Sequence, residues 1–217
     1  TVGRYKVKEL SERSRALLDD PSVLAQIGAV FALAANGRPV DQTPLADILL
    51  NDKSVSARCQ AAFVLGELRN SSSMPLLRQA MRSASPNSTP EQQKIFQLQV
   101  AEALIKLGDD DQRTGVRAAL YPNRAEELEA AALAAQILGQ VNDRKSIDQL
   151  VYLSEFKDAT GNLHPAEVRL AVADTLCAMG LKGGQFIPDQ YWSAAEPAIR
   201  AQVAHVYGTM GGNYGLN

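Results

Sequence analysis

The stretch "DPSVLAQIGAVFALA", Asp20–Ala34, lies over "DKSVSARCQAAFVLG", Asp52–Gly66, without a gap at a shift of 32 residues. Asp, Ser, Val, Ala, Ala, Phe and Leu recur in register. Self-similarity at such a period constrains a chain more than composition does. One repeat of this size cannot close a core by itself, so successive repeats must stack and bury their faces on one another. Four further segments follow the same template: "KIFQLQVAEALIKL", "ELEAAALAAQILGQV", "AEVRLAVADTLCAM" and "PAIRAQVAHVYGTM". One apolar position anchors them at Leu33, Leu65, Leu104, Leu138, Leu176 and Tyr207, spaced 32, 39, 34, 38 and 31 residues.

Each column of the alignment has a physical meaning. Three and four positions before the anchor stand small or β-branched residues, such as Ala61 and Ala62, Ala134 and Ala135, Val172 and Ala173. They let neighbouring helices approach closely. Together with apolar residues three after the anchor (Leu68, Leu107, Val141, Met179, Met210; Asn36 departs), they trace one helical face. The first element of each repeat therefore reads as a helix of about 14 to 17 residues. Apolar residues make up 46% of the chain but aromatics only 6%, which fits an aliphatic, alanine-rich core.

A shorter helix follows in most repeats: 43–50, 73–81, 112–120 and 144–153. Thr43, Ser73 and Asp111 suit N-caps, and Pro44 and Pro75 suit first-turn positions. In "LKGGQFIPDQYW" two glycines and a proline shorten or remove the fifth. The opening "VKELSERSRALLDDPSV" reads as a capping helix over 1–18, with Val7, Leu10, Leu17 and Leu18 as its buried stripe. "SASPNSTP" (83–90) and "FKDATGNLH" (156–164) read as surface insertions. No strand is expected.

The segments "EVRLAVADTLCAMG" and "EPAIRAQVAHVYG" resemble the bacterial HEAT-like repeat of the phycobilisome-lyase type, D/E-P-x-V-R-x-x-A-A-x-A-L-G, and "DPSV" and "DKSV" keep its start. The resemblance spans nearly the whole chain. It implies an all-α fold, a right-handed α-solenoid of about six helical hairpins in a single domain, 1–217, with repeats at 20–50, 52–82, 91–120, 124–154, 165–192 and 194–210 and a glycine-rich tail at 211–217. In that family an Asp and an Arg six apart form a ladder between repeats. Asp52 and Arg58 match, Asp20 faces Gln26, and Arg169 and Arg200 have Leu163 and Ala194 at that spacing. The ladder is therefore broken, or rebuilt with other partners.

Chemistry-bearing residues are few. The cluster around Cys177 dissolves on alignment, because Cys177 occupies a mostly small column (Ala34, Gly66, Ile105, Gly139, Gly208) and Asp174 a variable one. Free cysteine there behaves as a small hydrophobe, and Cys59 lies three repeats away, too far to pair with it. The two histidines, His164 and His205, lack partners at metal-ligand spacing. HEAT-like deoxyhypusine hydroxylases bind iron with repeated His-Glu pairs, and this chain has none. The acidic run at 109–111 lacks the spacing of a calcium loop and reads as a turn. Tyr191 and Trp192 read as a cap on the core's exposed end, with a partner contact as the alternative. No catalytic residue, metal or cofactor is expected.

The less ordinary pattern lies on the short helices. With Leu77, Val116 and Leu150 inward, Arg78 and Arg82, Arg113 and Arg117, and Lys145, Gln149 and Tyr152 fall on the outer side. In HEAT-like solenoids these helices line the concave surface, so the seven residues form a candidate basic stripe with one aromatic. The ordinary alternative is solvated charge, with the arginines paired to Asp109 or Asp148. Function then reads as a non-catalytic scaffold for a protein or peptide partner held on the concave face. Two alternatives share the repeat: an accessory enzyme subunit similar to phycobiliprotein lyases, or a nucleic-acid-binding protein. A net charge of −2, a pI near 5.7 and scarce aromatics disfavour nucleic acid. No run approaches the length of a membrane span. The chain opens on Thr1, as expected of a processed or trimmed N-terminus, and the compartment stays open.

Overall fold

The computed structural model describes residues 11–84, 88–158 and 160–211. Val7 and Leu10 of the expected capping stripe, and most of the glycine-rich tail, lie outside them. The described chain is helical apart from one isolated antiparallel bridge, Lys157 with Leu163. Its twelve α-helices are α1 (Ser11–Arg15), α2 (Val23–Ala35), α3 (Thr43–Asn51), α4 (Val55–Glu67), α5 (Met74–Arg82), α6 (Pro90–Lys106), α7 (Gln112–Ala118), α8 (Leu128–Gln140), α9 (Ile147–Glu155), α10 (Ala166–Ala178), α11 (Phe186–Tyr191) and α12 (Pro197–Met210). No described helix is long and apolar enough to cross a membrane. The chain divides into two compact units, 1–112 and 113–217, and the boundary falls inside the stretch 91–120.

In the first unit α4 packs between α2 and α6, and α3 and α5 close the remaining sides. Ala61, Ala62, Leu65, Val100 and Leu104 are buried there together with Leu45, Leu49 and Leu77. In the second unit α10 packs against α8, α9 and α12. Around it Leu170, Ala173, Cys177, Ile187, Ile199 and Val203 are buried. The small column one past the anchor makes the closest approaches. A Cβ on Gly66 would meet Ala103 Cα at 2.7 Å, and one on Gly139 would meet Thr175 at 3.1 Å.

The long helices start and stop by recurring means. Ser22, Ser54 and Thr89 accept the third following amide hydrogen as N-caps, and Thr89 with Gln92 completes a capping box. Four positions past the anchor the backbone turns left-handed at Gly37, Arg69, Gly108, Asn142 and Gly180. At Gly37, Gly108, Asn142 and Gly180 the next amide donates 2.9 Å back to the anchor carbonyl, the Schellman arrangement that satisfies a helix's last acceptors.

Two expectations need correction. The short helices are capped upstream of the predicted positions: Asp41 accepts from Thr43 N, and Asn70 accepts from Ser72 N. Neither Thr43 nor Ser73 caps with its own side chain, since both already lie in or against the helical turn. Leu17 is 42% exposed rather than part of a buried stripe, because the chain passes from α1 into a 3-10 turn that rotates it outward; Leu18 packs on the core instead. The fifth short helix, by contrast, is shortened as expected, to six residues.

The ladder is rebuilt on the arginine alone. Arg58 is 2% exposed, and its Nε donates 2.9 Å to Leu49 O at the end of α3. Its guanidinium also donates to Ser83 Oγ and lies 4.1 Å over the Phe96 ring. Asp52 instead accepts from Ser54 N. Arg169, at the same template position, is 3% exposed and donates 2.9 Å to Ser154 O in the last turn of α9. It also donates to Gln190 Oε1 and Tyr191 Oη. Arg200 donates to the carbonyls of Ala194 and Ala195. A cation at a helix C-terminus answers both the orphan carbonyls and the dipole, so the aspartate is dispensable.

Candidate functional site

In the first unit the α5 arginine Arg78 reaches the turn after α6. Its Nε and Nη2 donate to Asp109 Oδ2 at 3.1 and 2.9 Å. Asp109 is buried, so the first residue of the acidic run is an ion-pair partner as well as a turn residue. Arg82 is exposed on the same helix. In the second unit the pairing repeats one template step on. Arg117 of α7 makes a two-pronged contact to Asp143, with both bonds 2.6 Å, and Arg113 donates to Val141 O. Asp143 holds the pK of Arg117 above its ordinary value through that hydrogen bond. Arg78 and Arg117 both stand 13 past their anchors, and Asp109 and Asp143 both stand 5 past theirs. The next pair along the template is Val151 with Leu181. There the charges are replaced by an apolar cleft of about 330 Å3, lined by Ile147, Leu176 and Phe186 as well.

The expected stripe residues thus separate. Arg78, Arg113 and Arg117 are engaged at the helix-end carboxylates, as the ordinary reading held for Asp109; the second carboxylate is Asp143, not Asp148. Arg78 and Arg82 belong to the first unit, and the other five to the second. Lys145 and Tyr152 are exposed, and Gln149 is half-buried between them. The Gln149 Oε1 atom has no hydrogen-bond donor among the described residues.

Tyr152 does not stand alone. Its ring centroid lies 5.6 Å from that of Tyr121, just past α7, and 5.6 Å from that of Phe156, at the end of α9. Phe156 stacks on His164 at 5.2 Å. Tyr121 and Tyr152 are 47% and 49% exposed, so the row presents ring surface to solvent. Three of these four rings carry no sequence signal, because they come from two connectors and a helix end spread along the chain from Tyr121 to His164. Only Tyr152 sits at a helical register that periodicity can read.

The row ends at a cleft of about 460 Å3 between the connectors 121–125 and 156–165. Pro122, Leu128, Phe156, Leu163 and Pro165 give it an apolar lining, with Asn123, Arg124, Asp158 and Asn162 also on its walls. The second connector is ordered by Asp158, whose Oδ1 accepts from Thr160 N, Thr160 Oγ1 and Asn162 N at 2.8, 2.6 and 2.9 Å. The hydrogen bonds from Thr160 and Asn162 hold the Asp158 carboxyl below its usual range. His164 is pulled below its ordinary value by burial, with Asp158 opposing.

Cys177 is buried, its sulfur 3.3 Å from where a Gly184 Cβ would stand, and burial pushes its thiol up to about 11, which keeps it protonated and unreactive. Cys59 is raised to about 11 in the same way. His205 lies 3.5 Å from Asp174, and Thr209 Oγ1 donates to the same carboxylate. Tyr191 is half-buried under Arg169, whereas Trp192 is 61% exposed, edge-on to Tyr207. Among the described residues no three His, Cys, Asp or Glu side chains gather to hold a metal ion.

Comparison with known proteins supports the repeat reading. Residues 42–135 match the family profile for HEAT repeats. No curated protein sequence matches the chain. Among solved structures it is similar to human deoxyhypusine hydroxylase, at 17% identity and a TM-score of 0.38, over 91% of this chain and 82% of that one. It is also similar to an engineered protein, at 14% identity and a TM-score of 0.41, over 92% and 96%. The profile match shows HEAT repeats over residues 42–135.

Proposed function

We infer that this helical-repeat scaffold binds a protein partner through an extended segment of it, and that the second unit carries the binding face. The observation that carries the reading is the row of rings in which Tyr121 and Tyr152 are exposed and Phe156 and His164 half-buried. Large rings cost area in water, and Tyr and Trp are enriched where proteins meet. Contiguous exposed apolar surface marks interaction sites far more than scattered residues do. Two features support a peptide over a folded surface. The adjoining cleft is of side-chain size, and the asparagines on its walls can donate to and accept from an extended backbone. Of the stripe residues, Tyr152 is part of this row; Arg78 and Arg82 belong to the first unit.

The test is panning of a random dodecapeptide phage library against the folded chain. Enrichment of peptides whose binding is lost in the Tyr121→Ala, Tyr152→Ala double variant supports the reading. Failure to enrich any peptide, or enrichment indifferent to the double variant, removes it.

A further inference from the structure

We propose that the cleft between α9 and the turn after α10 is a second anchor pocket of the peptide-binding face, and that it takes one uncharged apolar side chain of the bound segment. This deepens the peptide-binding reading and rests on it. At this place in the template the earlier repeats set a cation on a carboxylate, Arg78 on Asp109 and Arg117 on Asp143. Here Val151 and Leu181 hold the two positions and line a hollow of about 330 Å3. Val151 is 38% exposed, and Phe186, which opens α11 on another wall, is 46% exposed. Apolar surface that folding leaves uncovered therefore meets at the cleft.

The polar groups on its walls are already spent. Ser154 Oγ donates 2.8 Å to Val151 O. The amides of Gly180 and Leu181 donate 2.9 Å to Cys177 O and Leu176 O. Pockets for free small molecules join an apolar lining to a few placed polar groups, and they start at about 300 Å3. This cleft lies at that lower limit, and the donors on its lining residues are turned inward. It suits a hydrocarbon group carried by a larger partner whose polar atoms are answered elsewhere, as an interface anchor is. The aromatic row lies next to it. Val151 and Tyr152 are consecutive residues about 100° apart around α9, so the cleft wall and the row are neighbouring strips of one helix surface. Half of the eight large apolar side chains exposed among the described residues, Tyr121, Val151, Tyr152 and Phe186, stand on the row or the cleft. Such concentration marks one continuous interface rather than scattered exposure.

The experiment measures anisotropy of one labelled consensus peptide from the enriched dodecapeptides, and of its single-alanine variants. They are titrated with the wild type, Tyr152→Ala and the double variant Val151→Arg, Leu181→Asp. The double variant rebuilds the ion pair of the earlier repeats across the cleft, and an unchanged helical circular dichroism spectrum confirms that it folds. We expect it to weaken the peptide at least fivefold. Alanine at one apolar position of the peptide should then cost the wild type at least fivefold and the double variant less than twofold. A different position should couple in the same way to Tyr152→Ala. Phe186→Ala removes one wall without adding charge. It should weaken the peptide at least threefold, and it carries the test alone if the double variant does not fold. Smaller losses, or no separate position coupled to the cleft, overturn this inference and leave peptide binding standing. No enriched peptide at all overturns the peptide-binding reading itself. Fluorescence of 1-anilinonaphthalene-8-sulfonate that rises on the wild type but not on the double variant, and that the peptide does not displace, overturns the inference in favour of a free apolar ligand.

Discussion

The helices α5 and α9 occupy the same place in the template, one in each unit, and each is nine residues long. Each unit carries one buried template arginine that closes the end of a short helix: Arg169 on the helix after α9 donates to Ser154 O, while Arg58 on the helix before α5 donates to Leu49 O of α3 and reaches α5 only at Ser83 Oγ. Their outer surfaces differ. Arg78 of α5 is tied to a helix-end carboxylate, and Gln79 and Arg82 beside it are exposed and polar. At the matching places α9 shows Val151, Tyr152 and Glu155, and the residue after its end is Phe156 where Ser83 follows α5. The shared frame shows what the repeat needs to fold. The divergent face shows where the chain is free to specialise, since exposed polar-to-aromatic exchange changes what a surface binds more than whether it folds.

The frame should be equally costly to break in both units. Arg58→Ala and Arg169→Ala each leave buried carbonyls unanswered, and each should lower unfolding free energy by about 3 kcal/mol. Urea denaturation of the two variants checks this, and a loss confined to one would show that the template is not shared. Tight packing gives the next effect. Gly66→Ala forces a Cβ to 2.7 Å from Ala103 Cα and should cost about 1–2 kcal/mol even after alanine's better helix propensity. At Gly208, in the same column, nothing lies within 4 Å, so Gly208→Ala should stabilise by about 0.5–1 kcal/mol. Opposite shifts in melting temperature confirm the contrast.

The helix-end ion pairs come third. Double-mutant cycles should give about 1–2 kcal/mol of coupling for Arg117–Asp143, which is two-pronged and largely sheltered. For Arg78–Asp109, where the Arg78 side chain is 48% exposed, less than about 1 kcal/mol is expected. The connector beside the aromatic row gives the smallest effect. The Asp158 carboxyl is held below its usual range by Thr160 and Asn162, so its stabilisation is present above the unfolded value of about 3.9 and fades as pH falls through the folded value. Amide resonances of Thr160 and Asn162 should stay constant from pH 7 to 5 and move only below about pH 4.

Much of the frame was readable in residue order, because close packing enforces small residues at a fixed helical register, and periodicity is what a sequence displays. The left-handed turns were half visible: Gly37, Gly108 and Gly180 mark the column, but Arg69 and Asn142 hide it. The arginine bonds to carbonyl oxygens were not visible, since a main-chain acceptor leaves no trace in residue type. Asp143 as a partner was missed for a related reason. It lies 26 residues from Arg117, and only the turn after α8 brings it near. The aromatic row is the extreme case, with rings from two connectors and a helix end meeting only after the second unit has packed.

The contrast between α5 and α9 is tested most directly by the affinity of one enriched peptide for two variants, Tyr152→Ala and the Arg78→Ala, Arg82→Ala pair. Tyr152→Ala should raise the dissociation constant at least tenfold, while the double arginine variant stays within twofold of wild type. Loss of binding in the arginine variant with Tyr152→Ala unaffected would contradict the account and move the binding face to the first unit.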